Sequence, residues 1–199
     1  MRRLLLALPL ALAGCIDADV ALDFTDPDTM LGRFDITLSR QLYDMTGGNF
    51  CKDGTEALTT DTARCTTERR VPLAEVLEKG SAALGDGEFA TDEGLRIMAI
   101  DDNRLRVSFD FSKMEQKDKP QDMAGMEGMV RAALAGHSFV FRVKAYRILS
   151  TTGTLSADGK EASHVIPVTA FLDSPPSVGG DFVTELQLRQ VCRFWVFCD

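Results

Sequence analysis

The sequence predicts an α+β fold in which an antiparallel, curved sheet of hairpins carries one or two packed helices. Short runs of alternating apolar and polar residues recur along the chain, as expected for strands with one buried face. Turn-forming pairs such as Asp158-Gly159 connect these runs, so neighbouring strands are expected to form hairpins. The predicted strands do not alternate regularly with helices, so the sequence does not predict a parallel sheet.

The first hairpin is predicted over residues 18–39. Val20, Leu22 and Phe24 alternate with polar residues, and Asp26-Pro27 supplies a turn. We expect residues 43–70 to form a long polar connection, which is uncommon in a compact domain and needs a clamp or a function. The returning strand of the hairpin places four apolar residues on one face: Met30, Phe34, Ile36 and Leu38.

The remaining elements alternate between hairpins and short helices. Pro72 can begin a helix that a Gly-rich segment ends over residues 80–87. A second hairpin is predicted over 95–111. A helix capped by Asp122 is predicted to run to about Ala135, with Gly136 closing it. The inward-facing residues predicted for this half of the chain are Leu73, Val76, Leu77, Leu105, Val107, Phe109, Phe111, Phe139, Phe141, Val143, Ala145, Ile166, Val168, Ala170 and Leu172.

The composition excludes several classes of protein. The chain has 199 residues, of which 22 are basic and 30 acidic, so that its formal charge is −8. A hydrophobic fraction of 45% is too high for a disordered chain and is sufficient for a buried core. The acidic balance argues against a nucleic-acid-binding surface, because phosphates are neutralised by Lys and Arg.

The N-terminal residues predict export and lipidation. Arg2 and Arg3 precede an apolar run over 4–13 that is too short to span a bilayer but suits a signal peptide. Leu12-Ala13-Gly14-Cys15 resembles the lipobox of bacterial lipoproteins, which implies acylation (palmitate) of Cys15 and its exposure as the first residue after cleavage. We therefore divide the chain into a signal peptide (1–14), an α+β lipoprotein domain (15–173) and a hinge with an aromatic tail (174–199).

Cleavage at this site sharpens the expected location. Removal of Arg2 and Arg3 leaves 20 basic residues against 30 acidic ones, a formal charge of −10. A chain this acidic is not attracted to anionic lipid, so we expect the acyl chains to anchor it. Ile16 follows the cysteine, where an Asp would be the familiar inner-membrane retention signal of diderm bacteria. We expect a protein of the bacterial cell envelope at the outer membrane, facing the periplasm. Asp17, one position further along, is an acidic residue close to the position of the retention signal and therefore favours the inner membrane as the alternative. No cofactor is expected beyond the covalent lipid.

Four further cysteines predict disulfides, as an even number does in an exported protein. Cys51 and Cys65 bracket a Gly- and Thr-rich segment that can close freely, so we predict a bond between them. Cys192 and Cys198 would lie about 20 Å apart in a straight strand, too far for a disulfide. Either the tail turns back on itself to join this pair, which we favour, or its cysteines pair with Cys51 and Cys65.

Two segments also carry a family resemblance. The anchor cysteine is followed directly by a hairpin with an Asp26-Pro27-Asp28 turn, and residues 148–167 contain a later hairpin around Asp158-Gly159. With the rest of 139–172, these segments are similar to bacterial lipoproteins of the LppM type. The chain departs from that type in the 51–65 loop. The resemblance implies a module that binds a lipid or another ligand in the envelope, and it carries no catalytic residues.

We do not expect an enzyme, and no catalytic residues are assigned. His137 and His164 are the only histidines, and neither has a metal-ligand spacing. The sequence lacks the nucleophile-elbow, P-loop and dinucleotide-binding motifs.

Two segments are candidates for binding. Met123, Met126 and Met129 recur at every third position, as thioether ligands of Cu(I) would. The same spacing suits a helix face that packs into the core or lines a groove, which we favour. In the tail, Phe194, Trp195 and Phe197 could contact the bilayer or a partner, although we favour the alternative that Trp195 packs into the core.

The leading hypothesis is a non-enzymatic, membrane-anchored lipoprotein whose sheet and Met-containing helix enclose an apolar ligand or lipid. The alternative is a structural or interaction lipoprotein that acts through a protein partner. A weaker alternative is periplasmic binding of Cu(I).

Overall fold

The computed structural model describes residues 16–45, 47–48, 50–52, 54–81, 94–114, 127–173, 178–190, 192–193 and 197–198. Three helices lie in these ranges: α1 (Arg40–Met45), α2 (Leu73–Lys79) and α3 (Glu127–Ala133). The strands are β1 (Ile16–Phe24), β2 (Thr29–Ser39), β3 (Thr55–Leu58), β4 (Thr62–Pro72), β5 (Leu95–Asp101), β6 (Arg104–Phe109), β7 (Ser138–Ala145), β8 (Arg147–Thr151), β9 (Thr154–Leu155), β10 (Glu161–Pro167), β11 (Phe182–Gln187), β12 (Cys192–Arg193) and β13 (Phe197–Cys198).

The strands form two main sheets. A seven-stranded sheet has the order β3-β4-β2-β1-β7-β10-β9, and a four-stranded sheet has the order β5-β6-β11-β8. All neighbours are antiparallel except β1 and β7, which run parallel in the middle of the large sheet. The predicted α+β class is confirmed, with the refinement that two sheets rather than one bury the apolar residues.

The core lies between the two sheets. Phe109 of β6 and Phe182 of β11 meet Phe141 of β7, with ring centroids 4.9 and 5.3 Å apart. Phe111 packs against the same cluster, at 6.3 Å from Phe141. Each sheet buries one face against the other, and this explains why apolar and polar residues alternate along the strands. The predicted inward residues of β1 and β6 are buried: Val20, Leu22, Phe24, Leu105, Val107 and Phe109.

Helix α2 is the predicted helix after Pro72. Leu73 and Val76 are buried against the core, whereas Leu77 is partly buried. Gly80 ends the helix in the left-handed region (φ 68°), where a side chain would be strained. Of the second predicted helix, the structure describes α3, and Gly136 (φ 89°) follows it as expected.

The prediction of a long polar connection over 43–70 is wrong. Strand β4 pairs with β2 over its whole length, from Thr62 opposite Ser39 to Pro72 opposite Thr29. Its inner face carries the small residues Ala63 and Cys65 and the β-branched Thr67 instead of large hydrophobics. Such residues suit a pleated surface but give a weak alternation in sequence.

Two other boundaries differ from the predictions. The returning strand after Asp158-Gly159 is β10, which ends at Pro167, and residues 168–172 form a 3₁₀ turn, because proline cannot donate to a ladder. The boundary drawn at residue 174 does not separate a tail from the domain. Strand β11 lies inside the four-stranded sheet, and Phe182 and Leu186 are buried in the core.

Candidate functional site

A groove opens at the end of the sandwich where the β1–β2 turn, helix α2 and the β5–β6 turn meet. Its cavity volume is about 380 Å³. We call it the acidic groove, defined by the residues that line it: Pro27, Asp28, Leu73, Leu77, Ala99, Asp101, Asp102, Leu105, Leu188 and Arg189.

The first wall of the groove is built by the β1–β2 turn. The Asp26 carboxylate accepts hydrogen bonds from the Asp28 N–H (3.0 Å) and the Thr29 hydroxyl (2.9 Å). These bonds lower the pKa of Asp26, that from the Asp28 N–H most. The Leu73 N–H donates to the Asp28 carbonyl (2.9 Å), so helix α2 starts directly on the turn. Residues Pro27 and Asp28 are thereby fixed relative to the helix.

The opposite wall is held by Asn103. Its side chain donates to the Arg189 carbonyl (3.0 Å) and accepts from the Arg189 N–H (3.1 Å). The Asp101 carboxylate accepts from the Asn103 N–H (3.0 Å) and from Arg104 Nε (2.7 Å). Those bonds lower the pKa of Asp101, the bond from the Asn103 N–H most. The rim is thus preformed by bonds within each turn and by bonds from the turns to Leu73 and Arg189.

The groove combines an apolar floor with an acidic rim. Leu73, Leu105 and Leu188 are buried beneath it, and Leu77 is partly buried. Asp28, Asp101 and Asp102 on the rim are exposed, while Arg189 is the cation among the lining residues. Among the residues that the structure describes, no three His, Cys, Asp or Glu side chains converge as metal ligands would. The surface suits a ligand with an apolar body and a positive group.

A second polar cluster lies on the outer face of the seven-stranded sheet, around Asp35. This carboxylate is only 9% exposed and accepts hydrogen bonds from Arg33 Nε (2.6 Å), Arg64 Nε (3.0 Å) and the Thr66 hydroxyl. Burial alone would raise the pKa of Asp35, but the bonds from Arg64, Arg33 and Thr66 outweigh it and lower the pKa to about 2. A carboxylate with three such donors joins strands β2 and β4.

Both histidines are held by neighbouring side chains. His137 Nδ1 lies 3.0 Å from an Asp17 oxygen, and the other oxygen of Asp17 accepts from the Ser138 N–H (2.9 Å). These bonds join the start of β7 to the start of β1. His164 stacks on Phe111, with ring centroids 4.8 Å apart.

The structure places only part of the residues singled out in the sequence. Cys51 and Cys65 form the predicted disulfide, with Cα atoms 5.4 Å apart. Met129 is on α3 and 62% exposed. Cys15, Met123, Met126, Phe194 and Trp195 lie outside the described residues.

The tail does turn back on itself, as the favoured cysteine pairing requires. Strands β12 and β13 are antiparallel, with Cys192 opposite Cys198 and Arg193 opposite Phe197. Antiparallel partners have Cα atoms about 4.5–5.5 Å apart, within the range that a disulfide spans. The backbone is therefore compatible with a Cys192–Cys198 bond.

The acidic groove was not predicted from the sequence. Both Asp-rich turns that border it and helix α2 were predicted as separate elements. The convergence of these elements depends on how the two sheets pack, and no local pattern reports that. The one available signal is the acidic composition of the two turns, with Asp26 and Asp28 in the first and Asp101 and Asp102 in the second.

Comparisons with known proteins give one structural neighbour. No family model matches the sequence, and no curated protein matches it. The chain is similar to the folded domain of LppM from Mycobacterium tuberculosis, solved by NMR, with 10% sequence identity and a TM-score of 0.42. The alignment covers 87% of this chain and 88% of that one. The neighbour is a protein of the type that the hairpins resemble.

Among the described residues, no helix is both long enough and apolar enough to cross a membrane.

Proposed function

We propose that this protein is a non-enzymatic lipoprotein of the bacterial envelope that binds a short segment of a partner protein in the acidic groove. Lipidation is proposed at Cys15, on the lipobox sequence. One structural observation carries the proposal. Strand β1 starts at Ile16, directly after Cys15, and its other end leads into the turn that forms the rim of the groove.

The length of β1 separates the anchor from the groove. A strand of nine residues that rises about 3.3 Å per residue spans about 30 Å. Pro27 and Asp28 follow its far end. Acyl chains on Cys15 would therefore hold one end of the domain at the membrane, and the groove would face away from it, into the periplasm if the anchor is in the outer membrane.

The chemistry of the groove favours a protein segment over a lipid tail. A volume of about 380 Å³ is at the low end for ligand pockets, and the acidic rim repels lipid phosphates. The interior between the sheets is occupied by the phenylalanine cluster around Phe141. A segment with one apolar and one basic side chain would bury the first on the leucines and place the second beside Asp28 or Asp102. This supports the interaction hypothesis over an apolar ligand enclosed by the sheet and the Met-containing helix.

The proposed anchor is tested by acylation of the full chain in a bacterial host. Wild type should incorporate labelled palmitate and sediment with membranes, whereas Cys15→Ala should do neither. A wild-type protein that carries no acyl chain on its N-terminal peptide, by mass spectrometry, would refute the lipoprotein assignment.

The groove is tested by NMR titration of the lipidated protein in nanodiscs with two tripeptides, Leu-Lys-Leu and Leu-Glu-Leu. We expect shifts at Asp28, Leu77 and Asp102 with the lysine peptide, and much smaller shifts with the glutamate peptide. Asp28→Asn with Asp102→Asn should abolish the difference, while Glu78→Gln, an exposed carboxylate on α2 outside the groove, should preserve it. Equal responses to both peptides would exclude recognition of a basic segment.

Cu(I) binding by Met123, Met126 and Met129 remains a weaker proposal. Its support is the sequence spacing together with the exposure of Met129. A Cu(I) titration under reducing conditions that gives equal affinity for wild type and for the triple Met→Leu variant would remove it.

A further inference from the structure

Three exposed apolar side chains lie at the end of the sandwich where β1 begins. Met45 is 77% exposed, Met129 62% and Leu58 47%. They belong to three different elements: α1, α3 and β3. Other large apolar side chains are also exposed on the part of the surface that the structure describes, so exposure alone does not mark an interface. What distinguishes these three is their position beside the proposed anchor.

The strand register places these elements at one end of the large sheet. Ile16 is opposite Leu38, Leu38 is opposite Ala63, and Ala63 is opposite Leu58. Leu58 is thus in the same row as the first residue of β1. We call this row, with the elements attached to it, the Ile16 end.

Both short helices join the Ile16 end. Helix α1 begins at Arg40, directly after the last residue of β2, and the Arg40 N–H donates to the Asp61 carbonyl in the β3–β4 turn (2.8 Å). Helix α3 precedes β7, whose first residue is bonded to Asp17. Met45 and Met129 are therefore carried by segments that flank the first residues of β1.

Charge at this end is partly compensated. Arg40 pairs with Asp44 (2.9 Å), and Arg131 pairs with Asp173 (3.0 Å). Paired carboxylates repel anionic headgroups less than free ones, so these two pairs reduce the repulsion at this end.

We propose that the Ile16 end rests on the bilayer, with Met45, Leu58 and Met129 inserted at its interface. The inference rests on the proposed acylation of Cys15, which leaves no spacer between the lipid and β1. An acylated residue directly before a strand in the middle of the sheet holds that end of the domain against the headgroups. Apolar side chains there enter the boundary between headgroups and acyl chains, as they do in interfacial helices. The domain is then oriented, not free to swing on its anchor.

The chain contains its own control for this orientation. Met98 on β5 is also exposed, at 47%, but it lies on the four-stranded sheet, near the β5–β6 turn of the groove. Its methyl group should remain far from the membrane while those of Met45 and Met129 touch it.

The experiment uses the lipidated protein with ¹³C-methyl methionine, in nanodiscs of phosphatidylethanolamine and phosphatidylglycerol that contain a nitroxide-labelled lipid. Single Met→Leu variants assign the methyl signals. We expect paramagnetic broadening of Met45 and Met129 several times greater than that of Met98, since the effect falls with the sixth power of distance. Equal broadening of all three, or greatest broadening of Met98, would overturn the proposed orientation.

The two proposals fail in different ways. Mass spectrometry of the N-terminal peptide reports acylation separately, so an unmodified Cys15 removes the anchor and with it the orientation. An acylated protein without differential broadening removes the orientation alone. In the lipidated variant Met45→Glu, Leu58→Glu, Met129→Glu, the protein should stay in the membrane fraction and its interface contact should be lost. If Arg40 Hα, at the start of the substituted helix α1, keeps its wild-type broadening in this variant, these side chains do not make the contact.

Discussion

Phe141 and Arg142 are adjacent in β7, yet they are stabilised by different forces on the two faces of the seven-stranded sheet. Phe141 is buried among Phe109, Phe111 and Phe182 on the inner face. Arg142 on the outer face donates to Asp19 (2.8 Å) and Glu161 (3.1 Å), joining β1, β7 and β10. The inner face depends on apolar area and should be insensitive to salt, whereas the outer face depends on charge and should respond to pH and salt.

The largest effect is expected on the inner face. Phe141→Ala removes a buried ring from the cluster that joins the sheets and should lower the free energy of unfolding by about 3–5 kcal/mol. Urea denaturation measures this loss. Val165→Ala, on the outer face and 58% exposed, is the control and should change stability by no more than about 0.5 kcal/mol. Similar losses in both variants would contradict the contrast between the faces.

The disulfide is expected to matter next. Cys65 is on the inner face of β4, and its bond to Cys51 ties the preceding loop to the sheet across 14 residues. The double variant Cys51→Ser, Cys65→Ser should lose about 2–4 kcal/mol of stability. Thermal unfolding with and without reductant tests this, because reductant should weaken wild type more than the variant. No difference between them would show that the loop is held by other contacts.

Asp35 should make the outer face sensitive to acid. Its pKa is about 2 in the folded protein against an ordinary value of 3.8. Because the pKa is lower in the folded protein, ionised Asp35 contributes about 2 kcal/mol to the free energy of unfolding. This contribution is present above pH about 4 and is lost as the pH falls toward 2. Asp35→Asn should remove this part of the pH dependence of unfolding, and Glu78→Gln should leave it unchanged. If the stability of Asp35→Asn falls at low pH as steeply as that of wild type, Asp35 is not the source of the acid sensitivity.

The smallest effect is expected for the outer ion pairs. Arg142, Asp19 and Glu161 are each about one-third exposed, so water screens their attraction. Arg142→Met should cost no more than about 1 kcal/mol at low salt and less at high salt. Chemical denaturation at two salt concentrations separates this from Phe141→Ala, whose loss should be the same at both.

The local features of the fold could be predicted from sequence. The β1–β2 and β5–β6 hairpins combine strong alternation with Asp-rich turns, so both signals come from neighbouring residues. Pro72 and Gly80 mark the ends of α2 for similarly local reasons.

The errors have equally specific causes. Strand β4 was missed because Ala63, Cys65 and Thr67 take the inward positions where large hydrophobics give the usual signal. Strand β11 was assigned to a tail because a Pro- and Gly-rich segment precedes it, although Phe182 and Leu186 alternate correctly. The acidic groove and the Ile16 end depend on the order of strands in two sheets. That order is set by contacts between residues far apart in sequence.

The parallel pair of β1 and β7 has a consequence for the order of folding. Val20 is opposite Phe141, so β1 cannot complete its pairing until the distant strand β7 is available. Chains emerge N-terminus first, and contacts between distant segments form late. One edge of β1 therefore stays open until late in folding. If Cys15 is acylated as proposed, this delay would leave time for the acylating and processing enzymes to act before β7 closes on the strand.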